Sequence, residues 1–153
     1  MQAEINVESI IIKGLSDFKQ RVAENILSKG VFASGRTTDS MRVDVSGDTG
    51  IMWGRENFSN IEEGVSPDEA KLKSSTLANS IYWWSMSKGI EFADESKRNS
   101  FARIVANNLE YYGSWLYRNG GRKDIYTSEV PQLIKEVTEN TTNAIVKTKI
   151  IGE

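Results

Sequence analysis

The side chains able to do chemistry in this sequence are carboxylates, lysines, serines and tyrosines, because histidine and cysteine are both absent. Their absence removes the commonest general base near neutral pH, the thiolate nucleophile, and the nitrogen and sulfur ligands of metal sites. Two acidic pairs remain, Glu62-Glu63 and Asp68-Glu69. Paired carboxylates can hold a hard cation or share acid–base work. Neither pair has calcium-loop spacing, and adjacent residues rarely converge on one ion, so both read as solvated surface or salt-bridge partners. The stretch Ser34-Gly35-Arg36-Thr37-Thr38-Asp39-Ser40 offers hydroxyls without a base, which makes no nucleophile. It reads instead as a sharp turn at Gly35, with the hydroxyls and Asp39 serving local N–H groups before a strand. Arg118-Asn119-Gly120-Gly121-Arg122-Lys123-Asp124 has the composition of an anion cradle. It lacks the GxxxxGK[ST] spacing and a preceding strand, and so reads as a turn with a charged rim. A hydrolase would need two acidic groups in one cleft, and no pair can be nominated. No residue is assigned a catalytic, cofactor-binding or metal role.

The aromatics are more informative. Tyr82-Trp83-Trp84 and Tyr111-Tyr112-Gly113-Ser114-Trp115-Leu116-Tyr117 concentrate large rings in two short segments. Consecutive residues on a helix point about 100° apart, so if Trp84 faces a core, Trp83 faces elsewhere. A large exposed aromatic favours a protein contact. Rings beside arginine can also stack the bases of single-stranded nucleic acid, an alternative that uses the segment 111–123 through Tyr111, Tyr112, Trp115, Tyr117, Arg118, Arg122 and Lys123. The subunit-interface candidates are Trp83, Tyr82, Trp115, Tyr117, Arg118, Arg122, Glu62 and Glu63. The loops at 65–75 and 115–124 are expected to reach neighbours.

These residues need elements to hold them. Ile11, Leu15, Phe18, Val22 and Ile26 form one apolar stripe, which predicts a helix over 8–28 that stops at Gly30. Met41, Val43 and Val45 alternate with polar residues, the period of a half-buried strand. A turn over 46–50 then leads into a returning strand at 51–53. Residues 58–64 read equally as a short strand or a helical turn, and 65–75 reads as a polar loop. A second helix is expected from 75 or 76 to 88, with Leu77, Ile81 and Trp84 inward. A third begins at an Asp94 cap and runs through Phe101, Ile104, Val105, Leu109 and Tyr112 to Gly113. Residues 115–124 read as a loop, and Ser128-Glu129-Val130-Pro131 as a helix start. The β-branched stretch 144–151 fits a terminal strand or a fraying helix, and 144–153 could serve as an extending tail that adds a strand to a neighbour. The fold class expected is α+β: a long N-terminal helix, a small twisted antiparallel sheet, and two or three further helices packed on it.

Composition sets the outer bounds. At 153 residues, 39% hydrophobic and 26% charged, the chain fits one soluble domain spanning 1–153. No apolar run approaches the ~18 residues that span a bilayer. The opening Met1-Gln2-Ala3-Glu4 lacks the basic start and apolar core of a secretory signal, so folding is expected where the chain is made. A net charge of −2 argues against a duplex-DNA grip.

Several motifs in order resemble a known family. Ala33-Ser34-Gly35, then Asp39-Ser40, then an alternating strand, resembles the signature that follows the long first helix of phage tail-completion or neck proteins. Phe58-Ser59-Asn60-Ile61-Glu62-Glu63-Gly64 is similar to that family's aromatic–x–x–apolar–Glu–x–Gly segment. Trp84 with Lys88-Gly89-Ile90 resembles its Trp…Lys-Gly-Ile block. Phe101-Ala102 to Leu109, then Gly113 and Leu116-Tyr117-Arg118, resembles its next helix and glycine turn. The likeness extends over about 9–138. It departs after Gly64, where Val65-Ser66-Pro67-Asp68-Glu69 stands in place of Gly-Arg and a proline-rich stretch. The resemblance implies a structural virion protein at the head–tail junction, made in the host cytoplasm, without catalysis or cofactor. It implies a homo-oligomeric closed cyclic ring, on the order of six or twelve copies, touching portal, adaptor, neck or tail proteins. DNA would pass its channel without specific binding, and no membrane is involved.

Overall fold

The structure, a computed structural model, describes residues 6–151. Residues 1–4, read above for a signal, and residues 152 and 153 of the terminal segment lie outside the described residues. The chain forms two compact units. The first draws on Met1–Gly30, Thr37–Glu56 and Asp124–Glu153, the second on Val31–Arg36 and Asn57–Lys123.

The first unit is built on helix α1 (Val7–Ser28). Asn6 starts it, its side-chain oxygen accepting the Ser9 N–H at 2.9 Å. The stripe expected from the sequence is the face that is buried: Ile11, Leu15, Phe18, Val22 and Ile26. A four-residue turn, α2 (Arg36–Asp39), precedes the hairpin of β1 (Arg42–Ser46) and β2 (Thr49–Trp53). Ser46 pairs with Thr49, so the turn is only Gly47-Asp48, tighter than the five-residue turn expected. Gly47 has φ 60° and Asp48 is not in the left-handed region, the pattern of a type II′ turn matched to strand twist. Val43, Val45 and Met52 lie on the half-buried face of the hairpin; Arg42, Asp44, Ile51 and Trp53 lie on the exposed one. The Ser40 hydroxyl donates to Thr37 C=O at 2.7 Å and accepts the Arg55 N–H at 3.1 Å, so the N–H it serves lies beyond the returning strand and not in its own turn.

Helix α1 packs on this hairpin and on α8 (Val130–Ile151), which follows a 3₁₀ turn at Thr127–Glu129. Of the alternatives for 144–151, the helix is the one observed. Gly14 gives α8 its close seat, because a Cβ there would lie 2.6 Å from Val137 Cγ2. Arg21 fastens the pair: Nε meets Glu129 at 2.9 Å and Nη1 meets Glu136 at 3.3 Å. Asn25 adds bonds to Ile125 C=O at 2.9 Å and to Glu129 at 3.0 Å.

The second unit holds α3 (Asn60–Glu63), α4 (Pro67–Leu72), α5 (Ser74–Ser87), α6 (Glu95–Tyr112) and α7 (Trp115–Arg118). The region 58–64 therefore contains a helical turn. The expected loop at 65–75 is corrected to α4. Ser66 accepts the Glu69 N–H at 3.2 Å and Pro67 takes the first turn, where its missing N–H costs nothing. The expected loop at 115–124 is likewise corrected at its start by α7, capped by Ser114. Helices α5 and α6 share a core of Ile81, Ala102 and Ala106, flanked by Leu77, Phe101, Val105 and Leu109. Trp84, expected inside, is 42% exposed, as are Ile104 and Tyr112 to a greater degree. The position that goes inside is Ser85, fully buried one turn after Ile81. The α+β class is as expected.

Candidate interaction surface

All eight residues nominated from the sequence fall in the second unit, at two places. The first is the junction of α3 with α7. Gly64 ends α3 at φ 78° and ψ −174°, and Gly113 ends α6 at φ 72° and ψ 176°. Side chains are nearly excluded from that conformation. The two glycines bring backbones together: Ser114 N–H donates to Val65 C=O at 2.8 Å, and Val65 N–H donates to Ser114 Oγ at 2.9 Å. Arg122 N–H closes the far side on Glu62 C=O at 2.7 Å. The Glu–x–Gly segment and the glycine turn after α6 are thus parts of one local joint.

That joint sorts the nominated residues. Glu62 is 2% exposed, which corrects its reading as solvated surface; its carbonyl serves the joint. Glu63 is exposed, and Arg122 is half-buried. Trp115, Tyr117 and Arg118 are exposed on α7, and Tyr111 and Tyr112 join them from the end of α6. Trp115 is 70% exposed and Tyr111 80%.

The second place is α5, whose fourteen residues carry no charge at all. Trp83, Trp84 and Met86 all stand exposed on it. Trp84 and Met86 were not nominated, although the lack of charge in α5 was a usable signal, since interface cores are depleted in charge. Tyr82 has an internal role. Arg98 stacks on its ring at 5.8 Å and on the Phe92 ring at 4.9 Å, and donates to buried Ser85 Oγ at 2.9 Å. This arginine sandwich fixes α6 against α5, so that the neighbouring Trp83 is presented from a rigid base. Lys88, of the Lys-Gly-Ile block, donates to Phe32 C=O at 2.6 Å and ties the 31–36 segment to the end of α5.

Each unit has a cleft with polar lining. Asn60, Glu63, Ser66, Glu69 and Tyr117 line one of about 400 Å³. Its Glu69 is engaged by Asn60 at 2.6 Å and by Lys73 at 3.4 Å, and the Ser66 hydroxyl is a helix cap. The other, about 440 Å³, lies between the start of α1 and α8 and includes Lys13, Asn140, Asn143 and Lys147. Lys13 there is held above its ordinary pKa by its hydrogen bond and charge pairing with Asp17, with Glu136 adding to the effect. Its charge is answered within the unit. Among the described residues, no group of three acidic side chains is placed to hold a metal ion, and no helix is long and apolar enough to cross a membrane. Comparison with known proteins gives no matching family model, no matching curated protein and no matching solved structure.

Proposed function

We propose that this chain is a non-enzymatic structural subunit of the ring at the head–tail junction of a tailed bacteriophage, joining portal or adaptor to tail around the DNA channel. The observation that carries the reading is the set of large aromatics held outward on ordered helices: Trp83 and Trp84 on α5, and Tyr111, Tyr112, Trp115 and Tyr117 at the α6–α7 corner. Each aromatic side chain buries roughly 150–250 Å² when covered, and aromatics are enriched at protein interfaces relative to the rest of the surface. The ordered motifs shared with the neck family support the specific form, and a net charge of −2 suits a wall past which DNA must slide.

The test is location. Phage particles produced from the genome that encodes the chain should contain it, and labelled antibody or electron cryomicroscopy should place it between portal and tail. Particles whose junction is complete without it would end the proposal. The exposed rings beside Arg118 and Lys123 also fit the alternative, a grip on single-stranded nucleic acid. Steeply salt-dependent binding of a single-stranded oligonucleotide would favour that reading.

A further inference from the structure

We propose that Asn119 is a modification site: it deamidates by attack of the Gly120 backbone nitrogen, at a rate set by the opening of α7. This stands apart from the ring reading. Asn119 is the only asparagine in the sequence that is followed by glycine. The step joins Gly120 N to Asn119 Cγ, breaks the Cγ–Nδ2 bond and releases ammonia, leaving a five-membered succinimide; the proton on Gly120 N leaves to solvent. Water then opens the ring at either carbonyl, giving aspartate or an isoaspartate whose main chain runs through Cβ. One water is consumed for each ammonia released. Glycine favours the attack because no side chain shields its nitrogen, and at Gly120 an added Cβ would meet nothing within 4 Å. Asn119 and Gly120 are both exposed, so water and solvent base reach them.

The folded joint holds the step off. Asn119 ends α7 at ψ 17°, and its Nδ2 donates to Trp115 C=O at 2.7 Å. The attacking nitrogen is engaged as well, Gly120 N–H donating to Tyr117 C=O at 3.1 Å. The chain that follows is fixed by Gly121 N–H on Leu116 C=O at 2.9 Å and by Arg122 N–H on Glu62 C=O at 2.7 Å. Ring closure therefore needs α7 to open. A helix of four residues is marginal by itself and is held by its caps, so it opens locally without the unit unfolding. The change is also one-way. A carboxylate only accepts, so the bond to Trp115 C=O is lost, and negative charge is placed at a helix C-terminus. Isoaspartate adds a carbon to the main chain ahead of Gly121, which moves the N–H groups of Gly121 and Arg122 out of register with Leu116 and Glu62. Opening of α7 thus exposes Asn119, and conversion of Asn119 keeps α7 open.

Full-length protein is incubated in mildly alkaline buffer, folded or unfolded in guanidinium chloride, and conversion at each asparagine is followed by peptide mass mapping. Asn119 should convert first in both states. Folding should slow it on the order of tenfold to a hundredfold, the cost of opening the bonds at Asn119 and Gly120. Ser114→Ala removes the cap of α7, whose Oγ accepts the N–H groups of Tyr117 and Val65, and should speed conversion several-fold in protein that stays folded. Arg98→Met weakens the same unit away from α7 and should leave the rate unchanged. Equal rates in the folded and unfolded chain overturn the inference, as does folded protein in which Asn119 never converts or another asparagine converts ahead of it. A rate unmoved by Ser114→Ala overturns it too. So does equal acceleration by Ser114→Ala and Arg98→Met, which would mean that only unfolding of the whole unit exposes the site.

Discussion

Substituting Gly64 by alanine isolates the joint that holds the aromatic corner. At φ 78° and ψ −174° a side chain costs roughly 1–3 kcal/mol in backbone strain alone. The new Cβ would also fall on the Tyr117 backbone N and lie 2.6 Å from Ser114 Oγ. Backbone cannot rotate away as a side-chain tip can, so α7 must shift. The two bonds between Val65 and Ser114 then open, each worth about 0.5–1.5 kcal/mol. The sum is about 4 kcal/mol, a large share of the 5–15 kcal/mol that ordinarily separates folded from unfolded chains. Gly89→Ala is the control. It sits in the same unit at φ 69° with nothing within 4 Å of the added carbon, so only strain of about 1–2 kcal/mol applies. Urea unfolding followed by tryptophan fluorescence reads the difference, since Trp83, Trp84 and Trp115 all belong to this unit. At a slope near 1–1.5 kcal/mol per molar, the Gly64 variant should unfold roughly 2 M urea earlier than the control. Coincident midpoints would refute the claim that close backbone approach at Gly64 holds α7.

Other substitutions test stability contact by contact. Arg98→Met should destabilise the second unit by about 2–3 kcal/mol, through loss of two ring contacts and a charged hydrogen bond to Ser85, read by the same urea curve. Arg21→Ala should cost the first unit about 2–3 kcal/mol, because Glu129 and Glu136 lose their shared cation and keep the neutral amides of Asn25 and Gln132 as donors. With these side chains only 18–31% exposed, the loss should persist in high salt, and hydrogen exchange along α8 would register it. Ile26→Ala empties a site 1% exposed and should cost about 2–5 kcal/mol by thermal or urea unfolding. Trp115→Ala should change stability by no more than about 0.5 kcal/mol, read by the same urea curve, because its ring is 70% exposed.

Where the sequence was legible, apolar spacing was dense. Helix α1 could be read to within one residue at its start because five large apolar side chains repeat at helical steps and all five are buried. The hairpin was legible from alternation, although Gly50 was assigned to the turn when it pairs with Val45. Helix α4 escaped because it has no stripe: Ala70 alone is buried and Leu72 is 87% exposed. Its Ser66-Pro67-Asp68-Glu69 start carries a capping signal, which with no stripe behind it fits a polar loop equally well. Helix α7, four residues long, is too short to show a period. Trp84 was misplaced for a different reason. The α5–α6 contact runs through Ser85, Ala102 and Ala106, small residues that hydrophobic patterning underweights. Of the nominated site, Trp83, Trp115, Tyr117, Arg118 and Glu63 lie on the surface, whereas buried Glu62 could not be distinguished from its neighbour without the fold.

The small-residue seam explains why the second unit shows its aromatics to solvent. Alanine and serine line the α5–α6 contact beside Ile81, and of the nearby rings Tyr82 and Phe101 pack against it while Trp83 and Trp84 stay outside. The rings of Trp83, Trp84, Tyr111 and Tyr112 then project from the opposite or flanking faces. In a lone soluble domain this arrangement wastes apolar surface: each uncovered ring forgoes part of the burial that stabilises folding and raises the risk of aggregation. The arrangement makes physical sense if the rings are covered in an assembly, where the same area stabilises contacts and the rigid helices beneath fix their geometry. Arg98 and the Gly64–Ser114 joint then have a common role, which is to hold aromatic side chains in place before a partner arrives. It follows that Arg98→Met and Gly64→Ala should weaken association even under conditions where the protein remains folded, because a loosened platform must be re-ordered on binding. Unchanged association in a folded Arg98→Met protein would show that the platform's rigidity contributes nothing.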